Sequence, residues 1–125
     1  MEFTHTQKFL KSTPRKLRGV VALIKDMTPS EAIIALPMVR KRAAGTLLKT
    51  IKTAVANAQK NGAEGKEILF KEIQVNEGPR MKRWRAGAKG RAKPYKKRMS
   101  HLRIVLETKD EKPVKKKMVK KGKKK

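Results

Sequence analysis

Between Gly78 and Leu106 the chain carries eleven basic residues and no acid. No compact core holds such a segment, because a buried cation needs a partner charge and hydrogen bonds. The stretch that holds ten of these cations, Arg80 to Arg98, must therefore leave the domain that its neighbours build. Before it, Leu69, Ile73 and Val75 alternate with polar neighbours, and Leu102, Ile104 and Leu106 do the same at its end. That is the period of a strand with one buried face. Between the two runs lie about 25 residues almost without aliphatic side chains, and a structureless loop of that length is uncommon unless it is functional. Its middle, Ala86-Gly87-Ala88-Lys89-Gly90, is small and glycine-rich, as a hairpin tip requires. The spacing predicts two strands that run on past the core as a long basic β-hairpin over about residues 78–101.

The rest of the chain reads as an ordinary small domain. Thr13 is placed to cap a first helix, Pro14 suits its first position, and Leu17, Val20, Val21 and Ile24 fall on one face. Thr28-Pro29-Ser30-Glu31 has the form of a capping box, opening a short helix that Pro37 ends. A third helix is predicted from Met38 to Lys60, with Val39, Ala43, Leu47, Ile51, Ala54, Val55 and Ala58 at helical spacing and Asn61-Gly62 as a left-handed stop. A further strand is placed near the N-terminus, from Glu2 to Leu10, at the sheet edge. From Thr108 to Lys125 the composition is lysine-dominated, as in a disordered basic tail. The predicted class is α+β, with three helices on a small three-stranded antiparallel sheet. Residues 1–107 make one RNA-binding domain and 108–125 the tail.

Charge indicates the partner. With 35 Lys+Arg against 10 Asp+Glu the net charge is +25, and residues 1–77 contribute 14 basic and 7 acidic residues to it. The surplus is concentrated in the hairpin and the tail. Each phosphate neutralised by such a surface releases condensed counterions, so a polyanion is the natural ligand. Around Trp84 stand Arg80, Lys82, Arg83 and Arg85; around Tyr95 stand Lys93, Lys96, Lys97 and Arg98, with Lys89 and Arg91 at the tip and Arg103 beyond. Guanidinium forks match phosphate oxygens, and aromatic faces stack on unpaired bases. A solvated charged loop is the bland alternative, but such loops mix in acids. Arg15, Lys16 and Arg18 form a weaker cluster at a helix start, where cations oppose the helix dipole unless an anion is near. A solvated helix face explains them equally well.

Catalysis finds little to use. The chain has no cysteine, hence no disulfide or thiolate metal site. His5 and His101 stand in no metal-ligand or triad spacing, and no catalytic, cofactor or metal residue is expected. His101, just before a strand, packs or meets RNA. No apolar run reaches the roughly 18 residues a membrane span needs, and the first ten residues do not read as a secretory signal. The expectation is a cytoplasmic protein without a membrane partner.

Five segments resemble one family in one order. Ser12-Thr13-Pro14-Arg15-Lys16-Leu17-Arg18 with Val20-Val21-Ala22-Leu23-Ile24 resembles the opening helix of the bacterial-type ribosomal protein L-twenty-two family. Ala54-Val55-Ala56-Asn57-Ala58, Val75-Asn76-Glu77-Gly78-Pro79-Arg80-Met81-Lys82-Arg83, Ala88-Lys89-Gly90-Arg91 and His101-Leu102-Arg103-Ile104-Val105-Leu106 follow it, so the likeness covers about residues 5–107. The resemblance implies a monomer within the large ribosomal subunit, bound to 23S ribosomal RNA and neighbouring proteins and helping assembly. It also implies a hairpin that lines the exit tunnel beside the nascent polypeptide, with Ala86, Gly87, Ala88, Lys89 and Gly90 at the tip. Gly87 replaces the basic residue that family members carry before Ala-Lys-Gly-Arg, which implies a looser tip. The lysine tail also departs from the pattern. The rival reading is a nucleoid protein that compacts DNA with basic arms, although such arms usually carry an apolar wedge or proline at the tip.

Overall fold

Pro14 starts the first helix, α1 (Pro14–Ile24), where its missing N–H costs nothing. Thr13 holds the N-cap position, but its side chain makes no cap bond; its carbonyl accepts from the Lys16 and Leu17 amides at 3.1 and 3.2 Å. The second helix, α2 (Pro29–Ala35), has the full reciprocal box. The Glu31 amide donates to Thr28 Oγ1 at 3.3 Å and the Thr28 amide donates to Glu31 Oε2 at 2.9 Å. That backbone donor holds the Glu31 carboxyl below the usual carboxylate range. After α2 a 3-10 turn, Leu36–Met38, carries Pro37.

The third helix, α3, runs over Arg42–Ala58 rather than from Met38 to Lys60. Its apolar phase is as expected: Ala43, Leu47, Ile51, Ala54 and Ala58 are buried, with Val39 and Val55 partly so. The start is late because the 3-10 turn that carries Pro37 gives way to an extended Val39, so the backbone is not helical again until Arg42. Lys41 stays extended as the N-cap. The end is early because Gln59–Ala63 widens into a π-type turn, and Gly62, at φ 102°, supplies the left-handed stop.

A computed structural model describes residues 1–109 of the chain. Strands β1 (Glu2–Leu10), β2 (Glu67–Ala86) and β3 (Ala92–Lys109) form an antiparallel sheet in the order β1-β3-β2. The N-terminal strand thus lies along β3, Glu2 opposite Glu107 and Gln7 opposite Leu102. Leu102, Ile104 and Leu106 of the central strand are fully buried, in one cluster with Leu17, Val20 and Ile24 of α1, Leu36, and the apolar face of α3. β3 continues to Lys109, and the Thr108 amide donates to the Met1 carbonyl at 3.1 Å. The strand therefore continues two residues past 107, where the tail was expected to begin. The expectation of a disordered tail falls, from residue 110 on, outside the described residues.

Among the described residues, buried side-chain polar groups are matched. Thr50 Oγ1 donates to Gln7 Oε1 at 2.7 Å, and Ser100 Oγ donates to the Ser12 carbonyl at 2.9 Å, which ties β3 to the segment before α1. Leu47 sits at full burial in α3, whereas Met38 is 79% exposed. Leu47→Ala is therefore expected to cost about 2–5 kcal/mol in urea denaturation. Met38→Ala should stay within about 0.5 kcal/mol of the parent.

Candidate nucleic-acid interface

The hairpin begins at a bulge. Glu77 pairs with Ser100 and Arg80 with Arg98, so Gly78 and Pro79 together oppose Met99. Proline has no amide to give a ladder, and a bulge needs none there. Gly78 is required by closeness: a Cβ on it would lie 2.9 Å from the Met99 carbonyl carbon and 3.1 Å from the Ser100 amide.

Beyond the bulge the register sets like charges against each other. Arg80 faces Arg98, Lys82 faces Lys96, and Arg85 faces Lys93. Directly opposed like charges destabilise an antiparallel pair. Among the described residues, Arg80 alone of these cations has a carboxylate partner, Glu77 at 3.0 Å, and it holds the Glu77 carboxyl below the usual range. Strand alternation divides the arm into two faces. Arg80, Lys82, Trp84, Pro94, Lys96 and Arg98 share one; Met81, Arg83, Arg85, Lys93, Tyr95 and Lys97 share the other. Trp84 is 65% exposed and forms a groove with Lys82, Pro94, Tyr95 and Lys96. The Arg85 guanidinium lies 5.0 Å from the Tyr95 ring centre, a cation–π contact that holds both.

The tip closes through Gly87. Its amide donates to the Arg91 carbonyl at 2.7 Å, and a Cβ there would come within 2.8 Å of the same oxygen. A basic side chain at this position would have to open the turn. Lys89 and Gly90 follow at positive φ, 55° and 67°, and Ala86, Ala88 and Arg91 complete an exposed end apart from the half-buried Gly87.

The helix-start cluster is redistributed. Arg15 and Lys16 line a cleft with Ser12, Gly19, Lys41 and Arg42, so four cations from α1 and the start of α3 converge. Lys41 and Arg42 were not singled out by sequence, since only the packing of α1 on α3 brings them there. Arg18 turns elsewhere, its guanidinium donating to the Val75 carbonyl at 3.1 Å and so fastening α1 to β2. His101 and Arg103 lie on β3 at the root of the arm, opposite Asn76 and Gln74. Across the sheet Lys71 pairs with Glu2, which raises the lysine and lowers the carboxylate from their ordinary values. Among the described residues no three His, Asp or Glu side chains gather as metal ligands, and no helix is long and apolar enough to cross a membrane.

Comparison with known proteins supplies the family. A protein from Syntrophus aciditrophicus named large ribosomal subunit protein uL22 is 46% identical over 110 residues, covering 87% of this chain and all of that protein. Proteins of the same name from Pediococcus pentosaceus and Salinibacter ruber are 38% and 34% identical. They cover 85% and 90% of this chain, and 91% and 96% of their own lengths is matched. The model of the family described as Ribosomal protein L22p/L17e matches residues 5–107, the α+β domain and its entire hairpin. The chain belongs to that family, whose members are structural ribosomal proteins and not enzymes.

Proposed function

We propose that the chain binds 23S ribosomal RNA in the large subunit, assists its assembly, and lines the nascent-polypeptide exit tunnel with its hairpin. The observation that carries the reading is the opposed register of Arg80 with Arg98, Lys82 with Lys96 and Arg85 with Lys93. Cations so placed repel one another until anions enter between them, and RNA phosphates supply those anions along both faces. Trp84 and Tyr95 offer faces to unpaired bases. Arg15 and Lys16, with Lys41 and Arg42, hold a second stretch of backbone, with Arg18 beside Val75 and with His101 and Arg103 at the arm's root. Neighbouring large-subunit proteins meet the remaining surface, and the chain acts as a monomer in the cytoplasmic ribosome. The tip from Ala86 to Gly90 is narrow and bears only Lys89 as a long side chain, as passage of any peptide sequence requires.

A photo-crosslinker attached at Ala88→Cys in translating ribosomes tests the placement. Nascent chains should be captured there and not from the same probe at Lys25→Cys on the helical domain. Equal capture at both positions, or none at Ala88, overturns the tunnel reading. Sedimentation of the chain with nucleoid DNA in place of large subunits would favour the DNA-compacting rival.

A further inference from the structure

Phe9 stands against its own backbone. Its φ is +58°, in the left-handed region that a bulky aromatic enters only at a cost, and its side chain is 59% exposed. A glycine would meet the same backbone demand without strain. The conformation arises at a bulge, where the β1–β3 register shifts between Gln7 and Leu10. The Phe9 amide donates to His101 Nδ1 at 3.0 Å. The two rings then meet edge to face, centres 5.1 Å apart and planes at 88°. Because Nδ1 accepts that bond, the neutral imidazole carries its proton on Nε2, a donor with no partner among the described residues. Leu102 and Ile104 point into the core, so His101 and the exposed Arg103 lie on the sheet face away from the helices.

We infer that Phe9 and His101 form a stacking platform for one unpaired RNA base, with Arg103 positioned for the adjoining phosphate. The inference rests on the RNA-binding reading and adds a site outside the hairpin arm. An apolar protein partner fits poorly, since Lys8 and Lys11 flank Phe9 closely in the chain and Arg103 lies two residues from His101 on the same strand face. A nucleotide supplies what the site lacks: a flat face for the Phe9 ring, an acceptor for Nε2–H and an anion for the guanidinium.

The test compares the full chain with Phe9→Gly and Phe9→Tyr by fluorescence anisotropy, using labelled oligoadenylate and an RNA duplex of equal length. Phe9→Gly is expected to weaken oligoadenylate binding about 5- to 150-fold, the range for loss of one base–aromatic stack. Duplex affinity, salt dependence and melting temperature should barely change, because no charge is removed and glycine accepts the positive φ. Phe9→Tyr should keep the parent affinity. Unaltered oligoadenylate binding by Phe9→Gly, or equal loss on duplex and single strand, overturns the platform. Failure of the parent chain to bind either RNA would instead overturn the RNA-binding reading beneath it.

Discussion

Replacing Lys96, Lys97 and Arg98 together with alanine is expected to weaken RNA binding about 50- to 170-fold at 0.15 M salt. It should also reduce the log–log salt slope by about 2 to 3. The arithmetic is counterion release: each phosphate contact contributes about 0.7 to 0.9 to the slope, and three contacts compound between 1 M and 0.15 M salt. The free protein should respond in the opposite sense. Lys96 and Arg98 lie directly across from Lys82 and Arg80, so their removal ends two repulsive cross-strand pairs, each worth about 0.2–1 kcal/mol. Lys97 faces Met81 and has no such opponent. A hairpin that becomes more protected from hydrogen exchange while its RNA affinity collapses identifies these cations as binding groups. An unchanged salt slope would move the contact surface to the cleft of Arg15, Lys16, Lys41 and Arg42.

What the sequence disclosed, and what it hid, follows the distance over which each feature is determined. The Thr28–Glu31 box is decided within four residues, and it forms as expected. The alternation around Leu102, Ile104 and Leu106 needs only a period of two, and all three are fully buried. The hairpin was legible because charge alone forbids the segment a place in the core. The α3 boundaries were misplaced because periodicity reports phase, not length; the 3-10 turn at Pro37 and the extended Val39 and Lys41 after it decide the start. Long-range features were silent. Lys41 and Arg42 join Arg15 and Lys16 only through the packing of α1 and α3, and Arg18 meets Val75 across 57 residues. Phe9 gave no sign, since nothing in its neighbourhood announces a positive φ at an aromatic residue. Gly87 looked like a loosening substitution, yet the space beside the Arg91 carbonyl admits nothing larger.

Gly78→Ala is expected to cost about 1–3 kcal/mol, the range for overpacking a closed site, and to redirect the hairpin as well. The atoms that a Cβ would meet, the Met99 carbonyl carbon and oxygen and the Ser100 amide nitrogen, are all backbone. They have little freedom to retreat. Met99 and Ser100 are buried, and Ser100 Oγ is bonded to the Ser12 carbonyl at 2.9 Å. β2 must therefore move instead, and it does so at the bulge where the arm leaves the domain. From Arg80 to Ala86 the arm extends on the order of 20 Å at about 3.3 Å per residue, so a bend of roughly 10° would carry the tip about 3.5 Å. That exceeds the tolerance of a hydrogen bond or a stacked base. Gly45→Ala is the matching control. No atom lies within 4 Å of a Cβ at Gly45, and alanine at this exposed position inside α3 should stabilise the protein by about 0.5–1 kcal/mol with RNA binding unchanged. Thermal denaturation measures the first effect, and incorporation into large subunits at a temperature where both variants are folded measures the second. If Gly78→Ala is destabilised yet enters subunits like the parent, the bulge serves only strand packing and does not aim the arm.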